Sequence, residues 1–353
     1  MQKRILGKTG WPLSIIGFGA IKLPRLNKEE CRFLLHRALD MGINFIDTAD
    51  CYGDSEEKIG QVLQARRKEF YLATKVDERD AHGVRAKLER SLRRLRTDWI
   101  DLLLFHDVRG GEYEKIFTAG GLEELQKAQQ EGKIRAIGIS IHGSISMMRQ
   151  AIENGAFSAL MVAYSALDED RLSADLLPLA AAKGVGLIAM KPLAGGKLGY
   201  FPSSGWDRNL FKGESPAQIA LRYVISNPYL TCAIPGMMSL PELKENCRVG
   251  QEPRDLSLAE LKKFMEIAAV AGQGFCRNCG YCLPCPEGIP IPDIFRFENY
   301  YRHYGLKEWA KLQYKSLPVN AQACSHCQLC LERCPFGVAI PPQLKLAHQM
   351  LND

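Results

Sequence analysis

The chain has 353 residues, 46% apolar and 24% charged, which excludes wholesale disorder and leaves room for one large domain plus a small one, or two of middling size. Its 46 Lys and Arg against 40 Asp and Glu give a net charge of +6, too weak by itself to point to nucleic acid. No apolar run approaches the roughly 18 residues of a membrane span, and Met1–Gly7 lacks the apolar core of an export signal, so a reducing, cytoplasmic setting is expected.

In chain order, Arg4 to Leu13 comes first, with Thr9-Gly10 as a hairpin-turn pair; a β-hairpin here would close the bottom of a barrel. Short apolar runs then recur at Leu13–Gly17, Asn44–Asp47, Phe70–Lys75, Ile100–His106, Ala136–Ser140, Ala159–Tyr164, Gly186–Lys191 and Thr231–Pro235. They are rich in Ile, Val, Leu and Phe and do not alternate, the signature of parallel strands buried on both faces. Amphipathic stretches lie between them: Lys28–Met41, Ser55–Arg66, Val84–Arg96, Gly121–Gly132, Ser144–Asn154, Ala174–Lys183, Ser215–Asn227 and Leu240–Cys247. Stops such as Met41-Gly42 and Lys183-Gly184 end several of them. Eight strand–helix units in about 240 residues predict an α/β fold of the (β/α)₈ TIM barrel type. A doubly wound sheet is the alternative, but Gly17-Phe18-Gly19-Ala20 leads into a poor helix start without the third glycine that fold wants. Leu256–Val270 reads as one more helix, and Gly272-Gln273-Gly274 as the joint between a barrel domain, 1–272, and a small C-terminal helical domain, 273–353.

Barrel chemistry sits at the C-terminal ends of the strands. Asp47 ends the second strand, Tyr52 lies in the loop after it, Lys75 ends the third and His106 the fourth. A phenol with pKa about 10 is a poor acid near neutrality, and a neighbouring ammonium favours its phenolate. Asp47 would hold Lys75 charged, and His106 would hydrogen-bond a substrate oxygen. Such a group protonates a carbonyl oxygen while a hydride reaches the carbon. Four such groups at consecutive strand ends outweigh the bland reading of a buried structural ion pair.

These residues stand within Arg4-x-Leu6-Gly7-x-Thr9-Gly10, Gly42-Ile43-Asn44-Phe45-Ile46-Asp47-Thr48-Ala49-Asp50-Cys51-Tyr52-Gly53, Ser55-Glu56, Leu92-Arg93-Arg94-Leu95-x-x-Asp98-Trp99-Ile100-Asp101-Leu102 and Pro192-Leu193-Ala194-Gly195-Gly196, with Ile234-Pro235-Gly236 and Asn246. Over about residues 3 to 250 the chain resembles an aldo-keto reductase. The resemblance implies NAD(P)H-dependent reduction of a small-molecule carbonyl with Tyr52 as the acid, supported by Asp47, Lys75 and His106. It also implies a coenzyme held by Ser140, Met190, Lys191, Pro192, Leu193, Gly195, Ile234, Gly236, Glu242 and Asn246. Several of these positions depart from the family pattern. Ile141 stands where many members have asparagine, Met161 where many have glutamine, and Met190 where many stack an aromatic on the nicotinamide; a thioether also packs on a ring face. Glu242 stands where a phosphate-binding arginine is common. A carboxylate repels a 2′-phosphate and accepts from a 2′-OH, so the expectation leans to NADH. Substrate identity depends on loops such as Arg109–Thr118 and Gly199–Gly213 and is not readable.

Eight of the 12 cysteines fall between Cys276 and Cys334. Cys276, Cys279, Cys282 and Cys285-Pro286 form one quartet; Cys324, Cys327, Cys330 and Cys334-Pro335 form a second that matches the bacterial ferredoxin run. Two 4Fe–4S clusters are expected. By the two-cluster rule the fourth cysteines exchange: Cys276, Cys279, Cys282 and Cys334 hold one, and Cys324, Cys327, Cys330 and Cys285 the other. Zinc and disulfides are weaker readings, since zinc sites use pairs of Cys-x₂-Cys and need no Cys-Pro ending. Cys285 to Pro292 echoes Cys334 to Pro341 at an offset of 49, and the first quartet is one residue short in its last spacer. The insert Pro292–Leu317 is helix-like and aromatic, so the domain resembles a helical, ferredoxin-like module.

A hydride carries two electrons and each cluster one, and no flavin motif stands between them. Three readings follow: a carbonyl reductase whose clusters exchange electrons with an electron-carrier protein, a carbonyl reductase with structural clusters, and an electron-transfer or sensor module on an inactive barrel. No nucleic-acid or membrane partner is expected. The basic helix around Arg85–Arg96 reads as a solvated face, with Arg90 and Arg94 as the sharper alternative of a docking face for an acidic carrier. His142 reads as a loop histidine and Cys51 as core packing whose oxidation would alter activity.

Overall fold

The computed structural model describes residues 1–168, 172, 175–199 and 206–353. The start of the expected helix at Ala174 and residues 200–205 of the expected substrate loop lie outside them. Two compact units are present, Met1–Met265 and Glu266–Asp353.

In the first unit, strand β1 (Lys3–Ile5) pairs antiparallel with β2 (Pro12–Ser14). This is the hairpin expected at the start of the chain, turned through Gly7–Thr9 and a left-handed Gly10. Leu6 and Leu13 from it are fully buried in the interior cluster with Phe45, Leu104 and Ile188. A Cβ on Gly186, at the start of its strand, would stand 2.4 Å from Leu6, so only glycine admits the plug. Eight parallel strands follow in chain order: β3 (Phe18–Gly19), β4 (Phe45–Asp47), β5 (Tyr71–Val76), β6 (Ile100–Phe105), β7 (Ile134–Ile141), β8 (Ala159–Ala163), β9 (Gly186–Met190) and β10 (Leu230–Ile234). Parallel bridges Ile16–Ala233 and Gly19–Gly236 join the first strand's edge to the last.

One expected boundary is corrected. The run Leu13–Gly17 is not the first barrel strand: its start belongs to β2, and the barrel strand is Phe18–Gly19. Both segments are buried and apolar, so periodicity alone could not separate plug from barrel.

Several helices start where a side chain satisfies an orphan N–H group. α1 (Lys28–Asp40) has a capping box between Asn27 and Glu30, and Ser215 with Gln218 caps Pro216–Ser226 in the same way. α2 (Ser55–Leu63) and α3 (Ala81–Leu95) approach so closely that a Cβ on Gly60 would lie 2.3 Å from the Arg94 carbonyl oxygen. That contact fixes α2, which directly follows the Tyr52 loop.

The second unit is helical, with Ile291–Asn299, a π-helical turn at Tyr300–Tyr304, Lys307–Lys315 and Ile340–Asn352. Phe297, Tyr300, Tyr304 and Trp309 form its aromatic cluster. Among the described residues no helix is long and apolar enough to cross a membrane.

Candidate active site

The sheet register places Asp47 at the C-terminal end of β4 and Lys75 near that of β5, while His106 follows β6. The Lys75 ammonium donates to both Asp47 oxygens at 2.6 and 2.8 Å and to the Thr48 carbonyl at 2.6 Å. It also lies 5.0 Å from the centroid of the Tyr52 ring. Tyr52 meets His106 edge-on, with centroids 5.8 Å apart. The four predicted residues therefore converge, and all are buried. Burial pushes the Asp47 carboxyl up, and the Lys75 ammonium opposes that shift. Burial first and the Lys75 charge second push His106 down to about 3, so its imidazole is neutral.

The Tyr52 loop is anchored from α3. Asp50, buried two residues before Tyr52, accepts from Arg90 Nε at 2.6 Å, Lys87 Nζ at 2.9 Å and Arg94 Nη1 at 3.2 Å, and from Arg90 Nη2. Arg94 also pairs with Glu57 at 3.1 Å. Lys87, Arg90 and Arg94 are thus engaged within the barrel unit, which argues against Arg90 and Arg94 as a docking face. Sequence reasoning missed this anchor. Its signal was present in the i, i+3, i+7 spacing of Lys87, Arg90 and Arg94, which puts three cations on one stripe.

Of the expected coenzyme residues, Ser140 bonds to the residue that follows His106. Its hydroxyl accepts the Asp107 N–H at 2.9 Å, one residue past His106. His142 Nδ1 stands 3.3 Å from Asp107 and 3.5 Å from Lys191 Nζ, so the ends of β6, β7 and β9 are tied together by polar side chains. His142 is therefore part of the strand-end cluster and not a plain loop histidine. Met190 and Ile234 lie at the top of the barrel interior with Met161. Lys191 and the segment after it turn through positive φ at Lys191, Ala194, Gly195 and Gly196. Pro192 and Leu193 lie within this turn, which closes on itself: the N–H groups of Ala194, Gly196 and Leu198 donate to the carbonyls of Lys191, Leu193 and Leu193. Gly236 follows the last strand, and Glu242 and Asn246 sit on the helix Leu240–Gln251. The Glu242 carboxylate accepts the Met238 N–H at 2.7 Å, and Asn246 is buried. An apolar interior floor, the Lys191 ammonium at the end of β9 and a hydroxyl beside the acid–base group suit a dinucleotide.

The cysteines fit clusters with exchanged fourth ligands. Burial pushes the Cys282 thiol up to about 12, and the sulfurs that add to the shift are Cys276, Cys279 and Cys334. Around Cys330 they are Cys324, Cys327 and Cys285. The two quartets are also stitched across: Gly274 N–H donates to Phe336 O at 2.9 Å, the Arg277 guanidinium lies 4.0 Å from the Phe336 ring centroid, and Arg333 donates to Pro284 O at 2.7 Å. No two cysteines are joined as a disulfide.

Residues 15–205 match the aldo/keto reductase family, and residues 275–339 match the 4Fe-4S dicluster domain. L-galactose dehydrogenase of Arabidopsis thaliana is 29% identical over 302 residues, 76% of this chain and 94% of that protein. An uncharacterized oxidoreductase of Bacillus subtilis is 28% identical over 301 residues, 74% of this chain and 95% of that one. Among solved structures, the holo form of an aldo-keto reductase from Bacillus halodurans superposes with a TM-score of 0.64 at 26% identity, covering 76% of this chain and 96% of that one. A putative aldo-keto reductase from Pseudomonas aeruginosa gives 0.59 at 28%, covering 71% and 95%.

Proposed function

The chain belongs to the aldo/keto reductase family, as an oxidoreductase with a 4Fe-4S domain, and from that premise we propose that it reduces a small-molecule carbonyl with a nicotinamide coenzyme while its clusters exchange electrons with a carrier protein. The observation that carries the first half is the Lys75 ammonium, held by Asp47 and lying against the Tyr52 ring beside a neutral His106. When bound, the nicotinamide supplies the hydride that reaches the carbonyl carbon. Tyr52 gives its phenolic proton to the carbonyl oxygen: the phenol O–H bond breaks, the alcohol O–H bond forms, and Lys75 stabilises the phenolate left behind. Asp47 keeps Lys75 charged and in place. His106, neutral, hydrogen-bonds the same oxygen and orients the carbonyl. Ser140 and the turn through Gly195 hold the coenzyme.

Tyr52→Phe should lower kcat for NAD(P)H-dependent carbonyl reduction by about 10²- to 10⁴-fold while leaving the dissociation constant of the coenzyme within a factor of two or three. Turnover equal to wild type would overturn the reading and leave the barrel as a binding scaffold.

The coenzyme we infer is NADH. Glu242 puts its charge at the start of the helix after β10, pinned by Met238 N–H, where a 2′-phosphate would meet it. Fluorescence titration should give tighter binding of NADH than of NADPH, and Glu242→Arg should reverse the order; tighter NADPH binding by wild type would sink this. Electron exchange rests on Cys327, the exposed thiol of the second quartet. A cluster-free form should keep carbonyl reduction and lose electron exchange with an added one-electron carrier.

A further inference from the structure

Cys51 precedes Tyr52, and its Sγ lies 3.4 Å from Nδ1 of His106. Among the described residues this thiol is the hydrogen-bonding partner of the His106 ring. We propose that Cys51 is a positioning residue for His106: its S–H donates to Nδ1, fixes the imidazole as the Nε2–H tautomer, and so leaves Nε2–H to donate to the substrate carbonyl oxygen. The last step rests on the reading of His106 given above.

The chemistry runs one way for three reasons. A neutral imidazole has one N–H and one lone pair, and whichever nitrogen its neighbour engages decides the role of the other. His106 is held neutral by burial and by Lys75, so the two-donor imidazolium is out of reach near neutral pH. Burial, with Asp77 and Asp50 adding, pushes the Cys51 thiol well above its ordinary value, so the sulfur keeps its proton and has one to give. Thiol sulfur is a weak acceptor, whereas an imidazole nitrogen is a strong one. S–H to Nδ1 therefore satisfies both groups. The reverse, Nδ1–H to sulfur, would turn the Nε2 lone pair onto a carbonyl oxygen.

The usual way to fix a histidine tautomer is a carboxylate on the far nitrogen. Here the carboxylates whose charge reaches His106 are Asp107 and Asp77. Asp107 is engaged by Arg109, and Asp77 by Lys87 at 2.9 Å. The other groups facing the ring are Lys75, Arg79 and the edge of Tyr52. A thiol fills the place of the carboxylate without adding a charge beside Tyr52.

The test is long-range ¹H–¹⁵N correlation on histidine-labelled holoprotein with its clusters oxidised, the His106 signals being assigned by their loss in H106Q. Wild type should show Nε2 protonated and Nδ1 bare. C51A should show a mixture of tautomers and a kcat lowered about fivefold to tenfold, and C51S, whose hydroxyl also donates, should restore the Nε2–H form and most of kcat. Protonation at Nδ1 in wild type overturns the proposal without need of any variant, as does an unmixed Nε2–H form in C51A. The tautomer and the turnover fail separately. A changed tautomer in C51A with unchanged kcat overturns the catalytic role of His106 and leaves the assignment of Cys51 intact.

Discussion

His106 is buried between Lys75, Tyr52 and Cys51, and that setting makes its proton affinity a stability term. Its folded pKa is pushed from 6.5 down to about 3. An unfolded chain binds a proton there as the pH drops below about 6.5, whereas the native chain does not until about 3. The stabilisation is therefore complete above about 6.5 and is lost as the pH falls toward 3. His106→Gln removes this dependence, so the loss of hydrogen-exchange protection of the barrel strands between pH 6.5 and 4.5 should be smaller in the variant than in wild type. Equal losses would mean that the ring is protonated in the native state. At this scale the sequence was most legible where one motif carries the residues: Asp47, Thr48 and Tyr52 fall within six positions. Lys75 and His106 were placed by strand ends. The thiol of Cys51 on His106, 55 residues away, was not legible, because a cysteine in a loop carries no pattern that names its partner. Met190 and Met161 were legible only as departures, and their place in the barrel interior follows from the register.

Strands β4 to β6 and helix α3 act together on the Tyr52 loop. Eight short apolar runs at regular spacing were enough to predict the barrel, because strands buried on both faces need continuous hydrophobic stretches. The plug and the first strand were confused for the same reason: both are buried, and burial is all an apolar run reports. The anchor at Asp50 lies beyond that signal, since it joins a loop to a stripe of cations 37 to 44 residues later. Asp50→Asn keeps one hydrogen-bonding oxygen and removes the charge that gathers Lys87, Arg90 and Arg94. Because those cations are partly exposed, water compensates much of the loss, and about 1–2 kcal/mol of local stability is the expected cost. The readout is faster hydrogen exchange over residues 48–55, with kcat lowered about tenfold and the coenzyme dissociation constant unchanged. Exchange and kcat both matching wild type would show the anchor to be idle. Charge reversal at Arg90 or Arg94 would disturb the same loop, so reduced activity in such variants reports on Tyr52 before it reports on any carrier.

The whole molecule joins an aldo/keto reductase barrel to a 4Fe-4S domain, and the second unit carries its own internal repeat. The left-handed positions Asn278 and Gly280 recur at His326 and Gln328, an offset of 48, whereas Gly288 recurs at Gly337, an offset of 49. The change of offset is the residue missing between Cys282 and Cys285, and the repeated chain regains its conformation on the far side of it. Pro290 (φ −80, ψ 69) and Ala339 (φ −73, ψ 71) open their helices alike. The sequence spacing displayed the quartets plainly; which thiols share a cluster depends on how the two arms cross, and spacing within one arm holds no information on that. The stitches from Gly274 and Arg277 to Phe336 bring the Cys334 arm beside Cys276. Iron content decides the pairing. Wild type purified without oxygen should hold about eight iron and eight sulfide per chain. If Cys276 and Cys334 serve the same cluster, C276A/C334A loses that one alone and keeps about four iron, while C324A/C334A strikes both and keeps almost none. If each quartet closed on itself, the outcomes would differ: C276A/C334A would be empty and C324A/C334A would keep about four. The two double variants carry the same number of lost thiols, so a general loss of folding would empty both alike and could not imitate either pattern.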